Sequence, residues 1–401
     1  MPHRLTHRPR EGSHVVTPAA VGRTRKRIFA ALTVLALCAA GGPQRGLAQS
    51  PPPPVDFGFL RSPDLRWQDL APAAATRPII EDLQSSERAA LRAQAQAALE
   101  RSGTLALALV ERGVLVFEGH ASGGSADNRY FSFSVAKSLT ALAVGEALCA
   151  GRIRSLDDTA LVYAPQLAGT AYGEASVRHL LMMASGAQSG GPELSGQPHP
   201  GAFTAEMMGR KTVAQQWRDH GRRARGLFSE VRAGERFDYN NLDTAALGAV
   251  VAGATSELFH AWFRRSVVEK AGLSDTSRWN LDRDGRELNY AAYSATLRDW
   301  VRLALRFRAV LRGETDEPCL RSFLEEGTRT RIATHARSGF MGYGYQIWTD
   351  HAHGARGAFW MLGYGGQRIG VDLASDRIMI TFATSPQEAT MRLYAGWVRS
   401  P

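Results

Sequence analysis

The sequence predicts an α/β chain: an antiparallel sheet flanked by helices, with a mainly helical lobe set into it. Three observations carry this. The apolar runs Leu105–Val110 and Val114–Phe117 flank Glu111-Arg112-Gly113, a β-hairpin pattern. Far downstream, Gln367–Leu373 and Arg377–Ala383 repeat the pattern around Ala374-Ser375-Asp376, followed by a helical stretch from about Pro386 to Val398. Between about 134 and 310 the signals are mostly helical. The two hairpins are therefore expected to meet in one sheet, with the middle of the chain as the insertion.

In chain order, Arg23-Thr24-Arg25-Lys26-Arg27 precedes an apolar stretch from Ile28 to Ala40 and then Gly46-Leu47-Ala48, small at the two positions a signal peptidase reads. Residues 1–48 are expected to be an export signal cut after Ala48, placing the mature protein in the periplasm or outside the cell. The alternative is an uncleaved anchor. The apolar stretch is too short for a membrane span, and no stable span is expected after cleavage. A lipoprotein signal would need a small residue before Cys38, where Leu37 stands.

Export changes the meaning of the formal net charge of +10, because the first fifty residues hold eight Lys and Arg against Glu11 alone. About +3 remains once that segment has left. The densest basic run beyond it, Arg222-Arg223-Ala224-Arg225, is short and has no interleaved aromatics, so nucleic acid is not an expected partner.

Residues 49–84 open with Pro51–Pro54 and stay irregular, as a linker or wrapping arm does. An Ala-rich helical pattern follows from about Ser85 to Ser102. Residues 85–401 are expected to form one composite domain or two interlocked halves, with the helical lobe roughly at 150–290. Of three cysteines, Cys38 leaves with the signal, Cys149 lies in an apolar helical stretch and Cys319 in a loop with Pro318. The sequence leaves a bridge between the last two open, and neither sits in a metal-binding spacing.

The chemistry centres on a lysine. After the signal only Lys137, Lys211 and Lys270 remain, and Lys137 stands inside an apolar stretch, Phe131-Ser-Phe-Ser134-Val-Ala-Lys137-Ser-Leu-Thr-Ala-Leu-Ala-Val144. This reads as a turn into a helix running to Gly151, with Ser134 and Lys137 on one face of its first turn. A serine hydroxyl is a weak nucleophile until a neighbouring base takes its proton, which a lysine can do when desolvation keeps the amine neutral. The helix N-terminus supplies N–H groups where an oxyanion would form. Taken alone, a Ser-x-x-Lys is more simply a Ser N-cap and a surface lysine.

Further motifs accompany it in order: Gly151-Arg-Ile-Arg-Ser-Leu-Asp-Asp158, Ser176-Val-Arg-His-Leu-Leu181 with Ser185-Gly186, Tyr239-Asn240-Asn241, Trp279-Asn-Leu-Asp282 with Gly285, Tyr343-Gly-Tyr-Gln-Ile-Trp348 and Gly363-Tyr-Gly-Gly-Gln367. From about 100 to 385 the sequence thus resembles the serine β-lactamase and penicillin-binding-protein superfamily. It is closer to the class C-like branch that includes esterases and 6-aminohexanoate-dimer hydrolases. The resemblance implies a β-lactamase/transpeptidase-like fold with the cleft between sheet and helical lobe. It makes Ser134 the nucleophile, Lys137 its base, Tyr239 a proton shuttle, and Asn241 an amide that orients Lys137 or holds a substrate carbonyl. By position, the backbone N–H of Tyr364 completes an oxyanion hole with that of Ser134.

The sequence departs from the family at its third motif, a basic residue followed by Thr or Ser and Gly, for which it has Met361-Leu362-Gly363. In β-lactam-recognising members the basic residue and its hydroxyl neighbour help bind the substrate carboxylate. Their absence points to a more apolar small-molecule ester or amide, or a peptide-like substrate, with no metal or organic cofactor. A β-lactamase or penicillin-interacting DD-peptidase is the alternative enzyme, and a non-catalytic cell-wall or peptide-binding protein the alternative of another class.

Other signals are weaker. Ala187-Gln-Ser189-Gly-Gly191 lacks the first glycine of a nucleophile elbow, and His351-Ala-His353 lacks clustered carboxylates or cysteines to make a metal site. His179 and Phe237 are expected to pack, Asp157 and Asp158 to brace a turn after Ser155, and residues 190–230 to shape the cleft's rim.

Overall fold

The computed structural model describes residues 57–400 apart from 102, 122–123, 189–210, 227–228, 336–338, 352–356 and 387. Residues 1–48, read as an export signal, lie outside the described residues, as do Pro51–Pro54, Ser189, His353 and much of the expected rim. Among the described residues no single helix is long and apolar enough to cross a membrane.

The described strands form two sheets. The larger has nine, in the spatial order β2 (Ile80–Glu81), β4 (Val114–His120), β3 (Thr104–Glu111), β13 (Arg377–Ala383), β12 (Gln367–Asp372), β11 (Phe359–Gly363), β10 (Trp348–His351), β9 (Phe340–Tyr343) and β8 (Ile332–Ala333). The N-terminal hairpin β3–β4 joins the C-terminal hairpin β12–β13 through β3 and β13, from Arg377 opposite Glu111 to Ala383 opposite Thr104. The two ends of the domain thus meet in the middle of the sheet. All pairs are antiparallel except β2 with β4, a two-residue edge.

All seven residues of β13 are buried because both faces of the sheet are covered. Successive side chains alternate between faces. Ile378, Ile380 and Phe382 enter the core shared with the helices Val135–Cys149 and Leu297–Leu311, whereas Met379 enters the one shared with Ala89–Leu99 and Glu388–Trp397. Tyr394 seals that second layer, its ring 5.1 Å from Trp360 and its hydroxyl donating to the Arg377 carbonyl at 3.0 Å.

One element beside the helical lobe goes beyond what the sequence revealed. A second sheet, in the order β1 (Arg66–Leu70), β6 (Ser277–Leu281), β7 (Tyr293–Thr296) and β5 (Arg129–Phe131), lies beside the helices. Its strands are three to five residues long, and β1 pairs with β6 across more than 200 positions, from Arg66 opposite Leu281 to Leu70 opposite Ser277. Stretches this short show little periodicity. The segment read as a linker or arm therefore wraps the domain and adds a strand to each sheet.

Cys319 corrects a second expectation. It lies in the helix Pro318–Gly327, not in a loop. Pro318 at the first turn explains this, since a proline's missing N–H has no intrahelical partner there anyway. Cys319 is disulfide-bonded to Cys149, which closes the question the sequence left open. At a sequence separation of 170, the bond restricts the unfolded chain and ties the C-terminal end of Val135–Cys149 in place.

Candidate active site

Val135–Cys149 is buried over almost its whole length, and Ser134 stands at its N-cap. The Ser134 side chain makes no capping bond, so its hydroxyl is not tied to the helix's backbone N–H groups. The preceding turn is tightly held. Phe133 has a left-handed φ of +43°, a conformation that costs a bulky residue free energy and persists only where surroundings enforce it. Ser132 does the enforcing: its N–H donates to the Tyr293 carbonyl at 2.8 Å, and its Oγ accepts from the Tyr293 N–H at 3.0 Å.

Lys137 lies one turn on and is 1 % exposed. Its Nζ donates to Ser134 Oγ at 2.9 Å and to the Tyr290 carbonyl at 2.6 Å, and it sits 5.0 Å from the centre of the Tyr239 ring and 5.7 Å from that of Tyr290. Removing an amine from water favours its neutral form, the one able to accept a proton. The half-buried Ser134 is reachable from outside while Lys137 is not. Nothing in the sequence marked Tyr290, because its contribution is a backbone carbonyl.

Tyr239 is clamped by aromatic rings. Trp348 stacks on it at 5.4 Å and Tyr343 meets it edge-on at 6.2 Å. Its neighbours divide the work. Asn240 caps the helix Asn241–Thr255, its Oδ1 accepting from the Leu242 N–H at 2.9 Å, and its Nδ2 donates to the Tyr172 hydroxyl at 3.1 Å. Asn241 is 7 % exposed, and its Oδ1 has no hydrogen-bond partner among the described residues. A buried acceptor left open in this way costs free energy unless a donor fills it, and a substrate N–H can.

Gly363, at the end of β11, brings the sheet to the turn before Ser134. A Cβ there would stand 2.4 Å from the Ser132 carbonyl oxygen, so the strand end touches the turn only because the side chain is absent. Tyr364 follows, its ring 5.7 Å from that of Phe133. Gln367 fastens the segment, its Nε2 donating to the carbonyls of Tyr364 at 2.7 Å and Ala383 at 2.8 Å. Met361 is 1 % exposed and packs in the same apolar core as Ala136 and Leu139. The place of a basic residue in the family motif is thus apolar and sealed.

The remaining motif residues act structurally. Gln346, left-handed at φ +56°, donates from Nε2 to the carbonyls of Leu180 and Leu181, accepts at Oε1 from Thr244 Oγ1 at 2.7 Å, and through its carbonyl accepts from Ser138 Oγ at 2.6 Å. It joins the sheet, the helix that begins at Ser134, and the lobe. Asp158 accepts from the Tyr163 hydroxyl and Asp157 pairs with Arg178 at 2.8 Å, both bracing the turn. Phe237 is buried against Tyr343 and Trp348. His179 packs against Gly234, where an added Cβ would lie 2.6 Å from its Nε2.

Asp243, two residues beyond Asn241, is fully buried and accepts from the Ser185 hydroxyl at 2.6 Å and the Ser185 N–H at 3.3 Å. Burial pushes its carboxyl well above the usual range, with Asp238 adding to the shift. A carboxyl whose folded pKa exceeds its unfolded one has no penalty below the ordinary aspartate range, and it costs stability progressively as pH rises above it. D243N is therefore expected to melt close to wild type at pH 4 and above it at pH 7. A melting difference that does not change with pH would show that Asp243 folds ionised.

No curated protein matches the chain. The family model described as Beta-lactamase matches residues 91–399. Among solved structures, a Bacillus anthracis protein with the provisional name 6-aminohexanoate-dimer hydrolase is similar at 20% identity. It covers 83% of this chain and 89% of its own, with a TM-score of 0.66. EstCE1, described as a hydrolase with promiscuous acyltransferase activity, is 16% identical over 77% of this chain and 99% of its own, TM-score 0.60. An octameric penicillin-binding protein homologue from Pyrococcus abyssi is 18% identical over 76% of each chain, TM-score 0.57. Identities this low speak to the fold alone, and the fold agrees with a family match that spans most of the sequence. The chain has the β-lactamase/transpeptidase-like α/β fold and belongs to the Beta-lactamase family of serine hydrolases.

Proposed function

We propose that this chain is an exported hydrolase that cleaves an ester or amide bond of a small molecule through an acyl-enzyme on Ser134. The observation that carries the reading is the 2.9 Å contact between Ser134 Oγ and the Nζ of a lysine sealed from water. Lys137 takes the Ser134 proton as Oγ attacks the carbonyl carbon. The N–H groups of Ser134 and Tyr364 receive the developing oxyanion. Tyr239 passes the proton to the departing alcohol or amine, and Asn241 orients the substrate carbonyl or Lys137. Water then adds to the acyl carbon, loses its proton to the same pair, and Ser134 leaves reprotonated with the free acid as product.

The apolar surroundings of Met361 favour a neutral ester or amide over a β-lactam carboxylate. The descriptions of the Bacillus anthracis protein as a dimer hydrolase and of EstCE1 as a hydrolase with acyltransferase activity fit acyl-group chemistry on this fold. Export rests on the basic and apolar pattern of residues 1–48 and suits the Cys149–Cys319 disulfide, which persists in oxidising compartments.

Intact-mass spectrometry tests the proposal. A fluorophosphonate is expected to add once to the wild type and not to Ser134→Ala, and a penicillin to add to neither. A penicillin adduct on Ser134 would move the assignment to a β-lactamase or DD-peptidase. Well-folded protein that takes neither reagent would be a binding protein on this fold.

A further inference from the structure

The segment before the first strand reaches the nucleophile turn. Phe57–Arg61 forms a single 3-10 turn that places the Phe57 ring 5.8 Å from Phe133 and the Phe59 ring edge-on to Phe131 at 6.0 Å. The turn is anchored just downstream, where β1 pairs with β6 over five residues and Asn280 Nδ2 donates to the Arg66 carbonyl at 2.9 Å. Phe133 is itself buried and immediately precedes Ser134, and Tyr364 packs against it at 5.7 Å. The rings of Phe57 and Tyr364 are only partly covered.

Two aromatic residues at the edge of the core thus rest on the residue before Ser134, each packed against the core on one side and open on the other. An aromatic ring left half in water gains free energy when an apolar group covers it. The scissile carbonyl must lie over Ser134 Oγ, and Ser134 follows Phe133 directly, so a substituent on that carbonyl enters beside the residue that both rings touch. We propose that Phe57 is a specificity-determining residue. With Tyr364 it forms a wall for an alkyl or aryl group attached to the reacting carbonyl, so that the preferred substrate is an ester or amide of an apolar acid. This rests on Ser134 as nucleophile.

The test compares labelling of Ser134 by two fluorophosphonates, one carrying an ethyl and one an octyl chain, in wild type, Phe57→Ala and Phe57→Leu, with melting curves to establish folding. In Phe57→Ala the octyl probe is expected to slow about tenfold or more, as pocket contacts of this size discriminate, while the ethyl probe keeps its rate. Phe57→Leu, which keeps an apolar side chain and spares the turn, is expected to recover most of the octyl rate. Equal slowing of both probes, or of neither, would overturn the wall and leave Phe57 as packing. Failure of the wild type to react with either probe would instead remove Ser134 as the activated nucleophile, and the wall with it.

Discussion

Replacing Lys137 with methionine is expected to lower kcat/KM toward a neutral ester by about 10²–10⁴-fold, the range a positioned general base contributes, with the fold retained. Methionine fills much of the same space at a site already 1 % exposed and bounded by the rings of Tyr239 and Tyr290. What disappears is the donor and acceptor 2.9 Å from Ser134 Oγ. Arginine is not expected to rescue, because a guanidinium stays protonated and cannot take the serine's proton. Steady-state rates on a chromogenic ester, beside the circular dichroism of each variant, decide the matter. Ser134→Ala serves as the floor. A methionine variant within threefold of wild type would remove Lys137 from the chemistry and leave the serine to be activated by something else.

The parts of this site that the sequence revealed are those where chemistry lies in side chains close along the chain. Ser134 and Lys137 are three residues apart on one helical turn, so their contact follows from helix geometry alone. The two hairpins were legible for a similar reason, each being a local pattern of apolar runs around a short turn. The unread parts depend on distant backbone. The Tyr290 carbonyl holds Lys137 from 153 residues away, and β1 finds β6 across more than 200, with only five residues in which to show alternation. Tyr239 and Asn241 fall between. Their types suit proton transfer and carbonyl binding, but only the fold brings Lys137 to within 5.0 Å of the Tyr239 ring. Asp243 shows a different limit: its residue type suggests a surface charge, and burial reverses that.

Gly363→Ala is expected to cost about 10²-fold in kcat, the loss that a displacement of about 1 Å in a reacting geometry produces. The argument is steric, since Gly363 has φ −126°, which alanine adopts freely. Its added methyl would stand 2.4 Å from the Ser132 carbonyl oxygen and 2.8 Å from the Gln367 Cβ. Neither neighbour yields easily. Ser132 is bonded to Tyr293 through both its N–H and its Oγ, and Gln367 to Tyr364 and Ala383 through its amide. The end of β11 must therefore lift from the turn at Ser132–Ser134, taking with it the Tyr364 N–H proposed to complete the oxyanion hole. Gly396→Ala is the matched control: beyond its chain neighbours and its own turn of helix no heavy atom lies within 4 Å of the added Cβ, and inside a helix the change should be neutral or stabilise by about 0.5–1 kcal/mol. A Gly363→Ala enzyme with wild-type kcat would mean that the strand end can move without consequence, and that the oxyanion is held by donors other than Tyr364. A selective loss at Gly363, with Gly396→Ala unaffected, would tie turnover to the contact between strand and turn.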